Sequence, residues 1–471
     1  GGQVYNVKAY GATGDGTTDD TTAIQAAITA AASGGTILFP GPATYLISDA
    51  LSYSSNQRWE STGGATIKLK NSSIGNIAAS VGGVTLTGII QPSTIAGVSN
   101  VEFVDLTLDG NKSNNSTTNS GDGLQLINCQ TCAVRGGYIT AVPRDGIVIG
   151  ERSSGTTANV TIEGTTLYDV GLSGVNGGSG IAVTAGDYIQ ILDVYVEGSE
   201  RDGIDVEPNS GNTVRGITIR GGMYRDNTLN GVSVYPAAAG DLTVREITID
   251  GVQAHENDGR GFWFSTGTSY RNEGFIVRGS TAYRNGKEGF YFVDQERVVL
   301  VGNYAIENGQ TSANTYSGFL IDRTGFSVIG NQAWDAQGTK TQKYGFEEAS
   351  DGTGNVFVGN VATAHATSRF YIQGAAYNTP TAFTTGDTAV WTHIYSANAS
   401  INFDNIVSPP DCNDKTITVT GAADGDRVIV GLRNGAVVAD GFVTGWVSAA
   451  DTVTVRLCVL TGTNVDAAAA F

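Results

Sequence analysis

From Gly123 onward the chain repeats one short pattern, in which a glycine is followed by an apolar residue, a residue of variable chemistry and a second apolar residue. The glycines are Gly123, Gly146, Gly180, Gly203, Gly231, Gly261, Gly289, Gly318 and Gly345, spaced by 23, 34, 23, 28, 30, 28, 29 and 27 residues. Side chains alternate between the faces of a strand, so each unit predicts a strand with one apolar face. A second apolar-x-apolar run stands between successive units, as at Ile189–Leu192, Ile217–Arg220, Ile247–Asp250 and Val298–Val301, giving at least two strands per repeat. A unit this short cannot bury its own apolar face, but stacked copies can, with equivalent residues about 4.8 Å apart. The pattern predicts an all-β fold, a parallel β-helix.

The repeat also assigns columns. The residue after each glycine, Leu124, Ile147, Ile181, Ile204, Val232, Phe262, Phe290, Phe319 and Phe346, forms an interior stack. One position further on lies an outward column of Gln125, Val148, Ala182, Asp205, Ser233, Trp263, Tyr291, Leu320 and Glu347, and the next outward column includes Glu207, Tyr235 and Asp322. Asn227, Asn257 and Asn285 each stand four residues before a glycine, where stacked amides would form a hydrogen-bonded ladder at a turn.

Candidate chemistry concentrates in Glu200–Pro208, where four carboxylates occupy eight residues. Asp205 and Glu207 fall on the outward face of a strand whose other face is Ile204 and Val206, and Asp202 immediately precedes Gly203. Asp and Glu are disfavoured in mid-strand, and two adjacent carboxylates repel, so something should offset that cost. Carboxylates fixed on a rigid strand suit acid and base work on a sugar. We therefore take Asp205, Glu207 and Asp202 as catalytic candidates, with Asp145 and Glu151 as the next choice. Asp122 and Asp145 share the position of Asp202 before a glycine, where Asp-Gly also serves simple turn chemistry. Trp263, Tyr291 and Tyr235 flank the acids along the outward columns; such aromatics suit sugar rings or a covering loop or subunit. Arg201 and Asp145 complete the substrate-binding candidates. Two residues two apart on a strand are about 6.5–7 Å apart at Cα, near the lower edge of the separation used by inverting glycosidases.

Composition narrows the partners. The 471 residues carry a net charge of -18, which disfavours nucleic acid and makes an anionic polymer an awkward ligand unless cations intervene. No run of about eighteen apolar residues and no signal-peptide pattern after Gly1-Gly2 is present, so membrane insertion is not expected. Four cysteines are too few for a disulfide scaffold, and Cys129-Gln130-Thr131-Cys132 lacks a second pair or a nearby histidine, so neither a metal nor a redox centre is expected there. Buried free thiols are the simple expectation, and whether Cys412 and Cys458 meet is open. No cofactor is called for; Ca2+ is the one ion the carboxylates would suit.

The chain opens with a short strand at Val4–Val7, a glycine-rich turn over Tyr10–Asp20 and a helix in which Ile24, Ala27, Ile28 and Ala31 recur at helical spacing. Asp19 and Asp20 supply its N-cap, Gly34-Gly35 ends it, and Thr36–Phe39 returns to strand. No phosphate-loop motif is present. The stretch YGATGDGTTDDTTAIQAAITAA, followed by GGTILFP and Tyr45, resembles the start of pectate-lyase-like right-handed β-helices, a likeness specific to about the first 50 residues. Phage tailspikes and mannuronan epimerases share that start, so the resemblance implies the fold and not one reaction. Such epimerases carry Tyr-Gly-Phe-Asp-Pro-His-Glu, and the matching stretch here is Asp202-Gly203-Ile204-Asp205-Val206-Glu207-Pro208. The aspartate is kept at Asp205, while Asp202 and Glu207 stand where the tyrosine and histidine would be. His255, His365 and His393 lie outside the stretch.

Beyond about Ala375 the repeat loosens, Pro409-Pro410 interrupts the chain, and strands are predicted at Lys415–Val419, Asp426–Leu432 and Thr452–Leu460. The expected organisation is a capping segment at 1–45, a β-helix at 46–408 and a small β domain at 409–471 that associates three chains. The functional expectation is an endo-acting depolymerase, resembling phage tailspikes, that hydrolyses a bacterial capsule, O-antigen or exopolysaccharide outside the cell or on a phage tail. A lyase or epimerase, a secreted bacterial enzyme and a non-catalytic glycan-binding spike are the alternatives.

Overall fold

In the computed structural model the apolar columns stack as the repeat requires, and the coils close into three parallel sheets of 13, 12 and 13 strands among the described residues. The structure describes residues 2–372 apart from 75, 82, 116–120, 154, 175–176, 209–210, 236–243, 266–271 and 350–354, and beyond 399 it describes 400–402, 411–420, 422–423, 428, 430, 441–459 and 468–470. Contacts divide the chain into Gly1–Val390 and Trp391–Phe471. The expected boundary at 408/409 falls outside the described residues.

Each glycine-led unit forms one strand of the twelve-stranded sheet, and the register runs Leu124, Ile147, Ile181, Ile204, Val232, Phe262, Phe290, Phe319, Phe346 and Phe370. The interior phenylalanines stack face to face, as in Phe262–Phe290 at 4.6 Å between centroids and 4° between planes. The second runs form longer strands, Gly186–Leu192, Val214–Arg220, Val244–Asp250 and Gln295–Val301, in one thirteen-stranded sheet. A third strand per coil, which the pattern did not predict, is only three residues long, as at Tyr195–Glu197, Met223–Arg225 and Gln253–His255. It offers a single interior residue, Val196, Tyr224 or Ala254, all fully buried. The glycine before each strand lets the coils approach closely: a Cβ on Gly203 would stand 2.6 Å from Gly231 O and 2.9 Å from Tyr224 Cβ.

The asparagine ladder forms and extends further than expected. Asn227 Nδ2 donates to Asn257 Oδ1 at 2.8 Å, Asn257 to Asn285 at 2.8 Å, Asn285 to Asn308 at 2.8 Å, and Asn308 to Gln342 Oε1 at 3.1 Å. Each acceptor oxygen also takes a backbone N–H, so one buried amide satisfies two donors of the preceding coil. A second ladder joins Asn303, Asn331 and Asn360.

At the N-terminal end the helix Thr21–Ala30 buries Ile24, Ala27 and Ile28 against the first coil, and Gln57 Nε2 donates to the carbonyls of Ile28 and Ala31 at its C-terminal end. Two details differ from expectation. Asp15–Asp19, read as turn, is a strand. Asp20 holds the N-cap position, but its carboxylate turns back to accept from Thr13 N at 2.7 Å and Gly14 N at 3.0 Å; Asp19 instead accepts from Thr21 N at 3.1 Å.

In the second unit an antiparallel sheet has Thr452–Val459 between Asp411–Thr418 and Gly441–Ala449. The strand expected at Asp426–Leu432 falls largely outside the described residues. Cys412 and Cys458 stand opposite one another and form a disulfide. Cys129 and Cys132 are also joined, which corrects the expectation of free thiols: the turn-like backbone at Thr131, with φ 58°, lets two cysteines three apart meet.

Candidate active site

Strand Ile204–Val206 lies in the twelve-stranded sheet between Ile181–Val183 and Val232–Val234, with Asp205 opposite Ala182 on one side and Ser233 on the other. Ile204 and Val206 point into the core and are fully buried, so the strand is pinned from within. Asp205 is on the outer face as its column requires, yet it is only 4% exposed, and Asp202 is 1% exposed. The Glu207 side chain keeps 26% of its exposure.

The three carboxyls surround one cation. Arg201 Nη2 lies 3.5 Å from Asp205 Oδ2 and 3.5 Å from Glu207 Oε2, and its charge is further held by Asp202 and Asp145. Asp202 Oδ1 accepts from Asn230 N at 3.0 Å and Asn230 Nδ2 at 2.8 Å, whereas its Oδ2 is buried without a partner. Burial, the neighbouring Asp202 and Glu207 charges and a hydrogen bond with Glu207 raise Asp205 well above the ordinary carboxyl range. Burial, only partly opposed by Asn230 and Arg201, pushes Asp202 up to about 6. Burial thus displaces both aspartates toward their protonated forms. The Cα spacing had favoured the separation of an inverting glycosidase; the structure draws the Asp205 and Glu207 carboxylates toward one guanidinium, each 3.5 Å from Arg201 Nη2. Asp202 stands beside this pair.

The preceding coils carry a related but more structural cluster. Asp145 Oδ1 accepts from Gly178 N at 2.8 Å and Ser179 N at 2.9 Å, the turn role weighed for it, while its Oδ2 lies 3.6 Å from Arg144 Nε. Asp122 Oδ2 accepts from Gln125 Nε2 at 2.7 Å and Thr87 Oγ1 at 3.0 Å, and burial with the nearby Asp145 charge raises it to about 6. Glu151 turns to Thr157 N at 2.8 Å, a loop-closing bond. Among the described residues no group of three or more His, Cys, Asp or Glu side chains is arranged to hold a metal ion.

On the other side of Asp205 the outward columns become aromatic. Tyr235 and Trp263 stack at 5.1 Å with 13° between their planes. Arg260 lies 4.0 Å over the Tyr291 ring and 5.8 Å from Trp263, and its Nε donates to Glu288 at 2.7 Å. Trp263, Tyr291 and Tyr235 are all half-buried, forming a platform that begins with Tyr235 next to Glu207 and reaches the Asp205 column at Trp263, two strand spacings away. Between them Ser233 is 1% exposed and its Oγ has no partner. Arg260, Glu288 and Asn230 were not singled out from sequence, although each occupies the same position before a glycine as Asp202.

Residues 4–233 match the family model described as rhamnogalacturonase A/epimerase, pectate lyase-like, and residues 179–362 match that of the right-handed β-helix region. Mannuronan C5-epimerase AlgE5 of Azotobacter vinelandii is 30% identical over 275 residues, covering 51% of this chain and 26% of that protein. The chain thus spans about a quarter of that relative's length. The A-module of the A. vinelandii epimerase AlgE6 superposes with a TM-score of 0.60 at 21% identity, covering 80% of this chain and 99% of that one. A tailspike protein of E. coli bacteriophage HK620, solved in complex with pentasaccharide, gives a TM-score of 0.60 at 13% identity, covering 99% and 92%. At these identities the two structures speak to the fold alone. The fold is thus the pectate-lyase-like right-handed β-helix that the first 50 residues suggest, one shared by enzymes acting on polysaccharides.

Proposed function

We propose that this chain hydrolyses glycosidic bonds of a bacterial surface polysaccharide, in the manner of a phage tailspike depolymerase acting outside the cell, with three copies assembled through the C-terminal unit. The observation that carries the reading is the cluster of buried Asp202 and Asp205 and half-buried Glu207 around Arg201, at the foot of an aromatic platform. A carboxyl whose burial favours its protonated form can give its proton to the glycosidic oxygen as the C1–O bond breaks, and a second carboxylate can take a proton from the water that adds to C1. Asp205 is the acid and Glu207, the most exposed of the three, is the second group, while Asp202, buried and fixed through Oδ1 by Asn230, sets the charge beside them. Trp263, Tyr235 and Tyr291 offer faces for sugar rings. A reducing-end assay on panels of capsule and O-antigen tests the reading: the wild type should release new ends and Asp205→Asn should not. Binding without release would make the protein an adhesive spike.

C5-epimerisation or β-elimination of a uronate is the second reading, favoured by the curated relatives. Against it stand Asp202 and Glu207 at the positions where the epimerase stretch has tyrosine and histidine. A buried carboxyl biased toward its protonated form is better suited to protonating a leaving oxygen than to removing a proton beside a carboxylate.

A further inference from the structure

The outward column changes character just past Asp205: Asp205 and Ser233 are still buried, and exposure begins at Trp263. On its N-terminal side Gln91, Gln125, Val148 and Ala182 are all buried, although each stands on the outer face of the sheet. On its C-terminal side, from Trp263 through Tyr291 and Leu320 to Glu347, the same column is half-exposed. The cover is a two-stranded antiparallel hairpin, Ala79–Val81 with Val84–Leu86, inserted before the strand Gly88–Pro92. Its Leu86, with Val81, Val84 and Ile95, packs on Ile127, Val148 and Ala182 to make a small apolar cluster separate from the main core. An apolar cluster on the outer face of a sheet is held shut by the same burial that holds a core. The last covered residue, Ala182, pairs directly with Asp205, a single strand spacing of about 4.8 Å away.

We propose that the hairpin Ala79–Leu86 is an end wall on the glycan face, so that the polysaccharide is engaged by one chain end and shortened from that end. The proposal rests on the hydrolase reading and replaces the endo-acting mode expected from sequence. Toward the N-terminus the column is already covered at Ala182, one strand spacing from Asp205, so at most about one sugar ring fits on that side. In the opposite direction the face opens from Trp263 through Tyr291 to Leu320, so the rest of the polymer lies there. The wall thereby sets the product: one or a few sugars per cleavage.

Two measurements decide this, one independent of any substrate. All four cysteines are paired, so an introduced cysteine is the sole free thiol. Ala182→Cys should react with a bulky maleimide at least about tenfold more slowly than Leu320→Cys, the scale of protection given by a packed segment that must open first. Adding Leu86→Asp, or replacing residues 80–85 by a short Gly-Ser link, should abolish that difference. Equal rates in the otherwise wild-type protein overturn the wall, whether or not either loosened variant folds. The second measurement follows product size on whichever polysaccharide of the capsule panel is cleaved. The wild type should release short oligosaccharides while the remaining polymer keeps its length and viscosity, and Leu86→Asp should add long products. An early collapse of polymer length in the wild type overturns chain-end attack. Failure to cleave any polymer would sink the hydrolase reading, and the thiol rates would still decide the wall.

Discussion

Asp202→Asn should make the fold less sensitive to rising pH. Asp202 is almost fully buried, one carboxylate oxygen has no partner, and burial displaces its titration from the ordinary 3.8 to about 6. A carboxyl raised in the fold contributes stability that is fully present below its unfolded value and is lost as pH climbs through the folded value. At ~1.36 kcal/mol per pH unit the displacement from 3.8 to about 6 corresponds to ~3 kcal/mol, an upper figure because Asp205 and Glu207 titrate with it. The asparagine can keep both bonds from Asn230 through its own Oδ1. Any fixed cost of its buried amide cancels when wild type and variant are compared at two pH values. The assay is urea unfolding followed by tryptophan fluorescence at pH ~3.5 and ~8, with the expectation that the stability difference moves by ~3 kcal/mol in favour of the variant as pH rises. A difference that stays constant to within ~0.5 kcal/mol would refute the raised titration.

Asp205→Asn and Glu207→Gln should each lower turnover by at least about a hundredfold with folding intact, measured by initial rates of reducing-end release. Asn257→Ala removes both ladder bonds of one rung and leaves the Asn227 N and Nδ2 donors without their acceptor, so urea unfolding should report a loss on the order of 3 kcal/mol with no change in the substrate panel. A chain ending near Pro409 should sediment as a folded monomer while the full chain sediments as a trimer; a trimer without the terminal residues would remove the association role from that unit.

The β-helix was legible because its signal is repeated: an apolar residue beside each of nine glycines fixes both the stack and the register, and the columns read from sequence are those that pair. The third sheet was not, since a three-residue strand such as Gln253–His255 shows one interior residue and no periodicity to count. The candidate carboxylates were found by their misfit in a strand, but their depth was not. Asp205 is buried by what surrounds it in three dimensions, including Arg201, Asp202 and the edge of the cluster under Leu86. The hairpin itself reads as two unremarkable short runs, and only its packing on Val148 and Ala182 shows what it covers. Arg260 and Glu288 were missed because only the aspartates before glycines were followed, although the same position carries Asn230, Arg260 and Glu288 in successive coils.

The most direct measurement is the chemistry of the cut. A polysaccharide cleaved by the protein is digested to completion while the ultraviolet absorbance of unsaturated uronate and the anomeric NMR signals of new reducing ends are recorded together. Hydrolysis at the Asp202, Asp205 and Glu207 site predicts new reducing ends without unsaturated product, abolished by Asp205→Asn. Unsaturated ends accumulating with each cleavage, or inverted C5 configuration without cleavage, would contradict it.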